Sequence, residues 1–191
     1  MLWSKPMFKL KGLILACLLA SPFAVQATES FVQVEFKTLD KEEFVFPDDL
    51  NAGALNIVML AIGTEQDNGT WQGDALVEWY AALNAAGLLN EDVKAWHFSV
   101  LKVPFFIKGV IRNGMADSYE GKLPFNQAGP IYIKDVEGFA EQAGIEIDGQ
   151  PTIVLVTADG ELHEQLKGEA TEENLSAVSE AVAGHLAAGA G

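Results

Sequence analysis

Cysteine is almost missing from this 191-residue chain. The single thiol, Cys17, lies near the start. No intramolecular disulfide and no cysteine-rich zinc cluster can form. Positive charge is scarce as well: 12 Lys and Arg stand against 27 Asp and Glu, for a net charge of -15. That balance excludes a generic nucleic-acid binder, which needs basic surface against phosphate, and adhesion to anionic lipid. There is no Gly-rich phosphate loop, no paired-histidine ligand motif and no Gly-x-Ser-x-Gly elbow. What is present is ordinary for a folded domain. Hydrophobic residues make up 49% and charged residues 20%, and the length suits one core.

Residues 1–27 read as a targeting segment. Lys5, Lys9 and Lys11 make a basic start, and an apolar run follows from Gly12 to Leu19. Ala24-Val25-Gln26-Ala27 then fits a signal-peptidase site, with cleavage after Ala27. The run is too short, and too soon interrupted by Pro22, to span a bilayer. The competing readings of this segment are a membrane anchor and a loose tail. Cys17 reads as a hydrophobic residue of the signal. The alternative is a lipid-attachment cysteine, a role that the large Leu15 fits poorly. The expectation is therefore export to a bacterial periplasm, with residues 28–191 as the mature domain. Cleavage removes three lysines and no acid, taking the charge from -15 to -18. The mature chain then has no cysteine and no stable membrane span.

Beyond the signal, the pattern alternates between strands and helices. Val32, Val34 and Phe36 alternate with polar residues, and Phe44-Val45-Phe46 returns after a polar turn, which predicts a hairpin. Asn56 to Ile62 is continuously apolar, the mark of a strand buried on both faces. A polar loop is expected over Gly63 to Gly73. A helix follows on Leu76, Trp79, Tyr80 and Leu83, ended by Gly87. Val93 to Leu101 is the next strand. Pro104 then opens a helix with Phe106, Ile107, Val110 and Ile111 as its apolar residues. A long loop is expected over Ala116 to Ala128, then a short strand over Gly129 to Ile133 and a short helix capped by Asp135. Thr152 to Thr157 and Glu161 to Lys167 form a second hairpin around Ala158-Asp159-Gly160. The last helix carries Leu175, Val178, Val182 and Leu186 on one stripe.

This order resembles the thioredoxin-like fold in its extended form, with an added N-terminal β-hairpin. The most specific stretch runs from Gly149-Gln150-Pro151 through Thr152–Thr157 to Asp159-Gly160, then Gly168 and the helix at Thr171. A weaker similarity, through Val110-Ile111-Arg112-Asn113-Gly114-Met115, is to the exported YtfJ-like group of bacterial proteins. The resemblance implies a three-layer α/β sandwich with a central mixed sheet. It also implies a cis bond before Pro151, beside the 63–73 loop.

In catalytic relatives of that fold, the active cysteines open the helix after the first central strand. A helix N-terminus stabilises a thiolate there. The matching segment, residues 63–73, has no cysteine. Thr64 and Thr70 offer hydroxyls, but no thiol–disulfide exchange or peroxidatic chemistry is possible without sulfur. What the resemblance leaves is a peptide-binding face. Its candidate residues are Thr64, Glu65, Gln66, Asp67, Asn68 and Trp71 on one side, and Gln150, Pro151 and Thr152 on the other. Backbone beside the proline would pair with an extended polypeptide, such as an envelope protein. The structural alternative is that Pro151 is only a turn residue.

Arg112, Tyr119 and Phe125 mark a second candidate surface, on the helix after Pro104 and the 116–128 loop. Glu65, Asp67 and Asp74 form a local acidic set, but their spacing matches no calcium loop. His97, on a strand between Trp96 and Phe98, reads as a hydrogen-bonded core or edge residue. No cofactor is implied. Two functions from different classes follow. One is an adaptor that holds a polypeptide on the former redox face. The other is an enzyme using hydroxyl, carboxylate or metal chemistry in the same loop.

Overall fold

Aromatic residues at alternate positions shape the first element. In the computed structural model, which describes residues 29–50, 53–63 and 66–189, β1 (Val34–Lys37) and β2 (Glu43–Phe46) pair antiparallel. The segment expected as a signal, Cys17 within it, and Thr64 and Glu65 lie outside the described residues. The chain continues through β3 (Leu55–Ile62), α1 (Gln66–Ala85), β4 (Val93–Leu101), α2 (Lys108–Tyr119) and β5 (Ala128–Tyr132). It ends with α3 (Val136–Gln142), β6 (Thr152–Thr157), β7 (Leu162–Lys167) and α4 (Glu172–Gly189).

The main sheet has the order β5-β4-β3-β6-β7. β3 runs parallel to β4 and antiparallel to β6, with Leu60 opposite Thr152. All eight residues of β3 are buried, as a strand covered on both faces requires. Its side chains alternate between two cores. Ile57, Met59 and Ala61 face Leu76, Trp79 and Leu83 of α1 and Val178 and Val182 of α4. Val58, Leu60 and Ile62 face the hairpin and Phe139 of α3. On that side the Phe46 ring lies 4.7 Å from Phe31 and 5.5 Å from Phe98. The buried Asn56 is satisfied on that same side, accepting from Trp96 Nε1 at 2.8 Å. This is the expected three-layer mixed α/β sandwich with an N-terminal hairpin.

The hairpin also reaches the β5 edge. Leu39 N–H donates to Ala128 O at 2.8 Å. A Cβ at Gly129 would stand 3.1 Å from Lys37 O, so a side chain at that position would push the hairpin away. The Asp135 cap is present, its carboxylate accepting from Gly138 N–H at 2.9 Å. Among the described residues no helix is long and apolar enough to cross a membrane.

Two expected loops are helical instead. α1 begins at Gln66, so most of the expected 63–73 loop is helix. Gln72 and Asn68 sit one and two turns before Leu76 on the same helix face, and tertiary hydrogen bonds offset the weak local propensity of Gly69 and Gly73. α2 likewise takes Ala116–Tyr119 from the expected 116–128 loop. The buried Tyr119 ring packs 4.7 Å from His97, and that burial outweighs Gly109 and Gly114.

Candidate functional site

The carboxyl ends of β3 and β4 and the start of β6 lie at one end of the sheet. The N-terminus of α1, residues 102–110 and residues 148–151 therefore converge there. In α/β sheets this end is the usual place for a ligand.

Gln72 ties α1 to the end of β3. Its amide accepts from Ile62 N–H at 2.9 Å and donates to Ile62 O at 3.1 Å. It also donates to Asn68 Oδ1. Asn68 Nδ2 in turn donates to Gly149 O at 3.2 Å, joining the helix to the loop before β6. Leucine at position 72 would leave both Ile62 backbone groups unpaired in a dry site. Gln72→Leu should cost about 2–3 kcal/mol in urea unfolding, the usual range for an orphaned buried group.

The 146–151 loop is pinned from several sides. Lys167 Nζ donates to Glu146 O at 2.7 Å and to the Asp148 carboxylate at 2.8 Å. Asp148 accepts from Gln150 N–H at 3.0 Å. Partial burial lifts the Asp148 carboxyl, but these hydrogen bonds outweigh it and hold the group below the usual carboxylate range. Gly168 N–H donates to Pro151 O at 2.9 Å.

The bond before Pro151 is not cis. Gly149, at a φ of 81°, and the Asp148 cap turn the chain into β6 without it. The cis X-Pro bond among the described residues is Phe46–Pro47. Pro151 and Thr152 are buried, while Gln150 is exposed. With Gly149 O, Gln150 N–H and Pro151 O all satisfied internally, little backbone is left for an added strand.

The side chains at this end do offer contact area. Trp71 on α1 is 37% exposed. Phe105 is 87% exposed, Phe106 79% and Val110 72%. The two phenylalanines occupy a 3-10 turn, Phe105–Ile107, between β4 and α2. Tyr132 holds that turn in place: its hydroxyl donates to Lys108 O at 2.7 Å, and Lys108 Nζ stands 4.8 Å above its ring. Burial raises the Tyr132 phenol to about 12, against the opposing charge of Arg112. Lys102, Lys108 and Arg112 flank these apolar residues in sequence on an otherwise acidic chain.

Phe106 and Val110, expected only as apolar residues of the helix after Pro104, are thus exposed. Four apolar residues within six positions, next to Gly109, exceed what one short helix face buries, and that excess was the available signal. The other expected residues fall as follows. The backbone of Gln66 and Asp67 forms the first turn of α1. Arg112 and Phe125 are half-buried. Tyr119 is buried, so it cannot serve a contact surface as first expected.

Against Tyr119, at the last turn of α2, lies a buried polar group. Both ring nitrogens of His97 are buried without a hydrogen-bond partner, where a hydrogen-bonded histidine was expected. Burial drives its pKa down to about 3. The neighbouring Tyr119 phenol is pushed up to about 12 by burial; its hydrogen bond with Ser99 works against that rise and the charge of Asp74 adds to it.

Comparison with solved structures gives the class. Yeast Sco1 with copper bound matches at a TM-score of 0.56 and 12% identity, over 81% of this chain and 92% of that one. The thioredoxin domain of a thiol-disulfide oxidoreductase from Bacteroides vulgatus matches at 0.54 and 13%, over 83% and 99%. BsSco, of the Sco family of cytochrome c oxidase assembly proteins, matches at 0.53 and 17%, over 82% and 95%. At these identities the likeness is one of fold: the chain is thioredoxin-like. No family model and no curated sequence matches it.

Proposed function

We propose that this is an exported, thiol-free thioredoxin-like module that binds a polypeptide partner at the end of the sheet where catalytic members of the fold carry their cysteines. The supporting observation is the patch of Phe105, Phe106 and Val110, with Trp71 at the same end of the sheet. Exposed aromatics of this size mark interaction surfaces on soluble domains. The flanking Lys102, Lys108 and Arg112 suit a partner surface that is apolar with an acidic rim. The partner is gripped by side chains, because the loop before β6 has satisfied its own backbone. Export follows from the basic-apolar-small pattern of residues 1–27.

The test is affinity capture from a cell-envelope extract, run with the parent and with Phe105→Ser/Phe106→Ser. The double variant should keep its stability within about 0.5 kcal/mol, since both side chains face solvent. Its affinity for the captured partner should fall roughly 30-fold or more, equivalent to about 2 kcal/mol. Lys102→Glu should weaken binding at low salt and much less at high salt. Equal retention by the double variant overturns the reading.

A further inference from the structure

A second site lies at the opposite end of the sheet and is independent of the binding reading above. A cavity of about 550 Å³ opens between β7 and α4, lined in part by Leu55, Leu155, His163, Glu164, Glu180 and His185. The two imidazoles meet there, with ring centroids 4.7 Å apart and planes at 60°.

Local structure aims both rings into this space. Leu155 pairs with Glu164 and Val156 with Leu162, so His163 is the extra residue of a β-bulge. A bulge re-aims its side chain out of the regular alternation. Instead of facing α3 with Gln165, whose amide donates to Ala143 O, His163 joins Glu164 on the α4 side. His185 stands one turn beyond Val182 on the stripe of α4 that covers the sheet.

The spacing fits shared coordination. Metal–imidazole bonds are about 2.0–2.1 Å, and a ring nitrogen lies about 1.1 Å from its ring centre, so two imidazoles on one ion at about 90–109° have centroids about 4.4–5.2 Å apart. The observed 4.7 Å falls inside that interval. We propose that His163 and His185 form a two-imidazole site for a divalent late transition-metal ion, such as Zn²⁺, Ni²⁺ or Cu²⁺, in the cavity between β7 and α4. Imidazole nitrogen is a ligand these ions favour over Mg²⁺ or Ca²⁺. Among the described residues no group of three or more His, Cys, Asp and Glu side chains is placed to hold a metal. Water therefore completes the shell, and Glu164 and Glu180 on the cavity wall act as acceptors for that water and as local negative charge. The site is accordingly weaker and more exchangeable than a four-ligand structural zinc site.

The experiment titrates the untagged, chelator-treated protein with Ni²⁺ by calorimetry, and records the electron paramagnetic resonance spectrum after adding one equivalent of Cu²⁺. The expected result is one saturable ion per chain and nitrogen hyperfine structure from two imidazoles. His163→Gln and His185→Gln should each weaken Ni²⁺ binding at least tenfold. Both should unfold like the parent in the absence of metal, which separates ligand loss from misfolding. No saturable binding, or binding unchanged by both replacements, overturns the proposal. So does a Cu²⁺ spectrum without imidazole nitrogen.

Discussion

Mild acid should destabilise this protein through His97, and His97→Phe should abolish that part of the acid sensitivity. The ordinary histidine value is about 6.5, while burial holds the folded value at about 3. As pH falls below 6.5 the unfolded chain takes up a proton that the folded chain refuses. Stability from the neutral ring is thus fully present above pH 6.5 and is lost progressively toward pH 3. At pH 4.5 the expected loss is roughly 2–3 kcal/mol, and near pH 3 it approaches 4–5 kcal/mol. Phenylalanine keeps a ring against Tyr119 and removes two unpartnered nitrogens, so the variant should be no less stable than the parent at pH 7. Urea unfolding of both proteins at pH 7 and pH 4.5 is the check. Carboxylates such as Asp148 add to the acid loss in both proteins and cancel in the comparison. A difference between the two that stays the same at both pH values would mean that His97 already titrates in the folded state.

Trp79→Ala should be among the most damaging single changes on the helical side, at about 3–5 kcal/mol. Trp79 is fully buried in the core between α1 and the sheet. Its Nε1 donates to Gly168 O at 2.8 Å, and Gly168 N–H holds Pro151 O. Trp79 therefore braces the start of β6 from below. Trp79→Phe keeps most of the volume but leaves Gly168 O unpaired, with an expected cost of about 1–2 kcal/mol. Amide exchange at Gly168 should speed up in the Phe variant more than exchange in β3. Uniform acceleration would mean that the bond braces nothing local.

The strands were legible where burial and periodicity agree. Val93–Leu101 and Thr152–Thr157 have the same limits in the sequence pattern and in the structure. The start of α1 was not legible, because Asn68, Gly69, Thr70 and Gly73 look like a loop until their partners are known. The bonds that hold this turn run from Gln72 to Ile62 and from Asn68 to Gly149, 10 and 81 residues away. The binding face was half legible. Trp71 and Gln150 were singled out and are exposed, whereas Phe105 was not singled out and Phe106 read only as an apolar residue of the helix after Pro104. Pattern cannot say whether an apolar residue beside a chain end of the sheet has anything to pack against. The pairing of His163 with His185 was invisible for a similar reason: it depends on a one-residue register shift.

The hairpin lying over Gly129 and the bulge in β7 together govern how this molecule behaves in a crowd. An exposed sheet edge is a template onto which other chains can polymerise. Here the β5 edge lies under the hairpin, with Leu39 bonded to Ala128. The β7 edge is irregular and carries the charged Glu164 and Lys167. Neither border offers a long flat row of free backbone groups, so concentrated solutions should resist fibre formation even though Phe105 and Phe106 are bare. Any self-association should instead be reversible, mediated by the aromatic patch, and disrupted by the same Ser substitutions that disrupt partner binding.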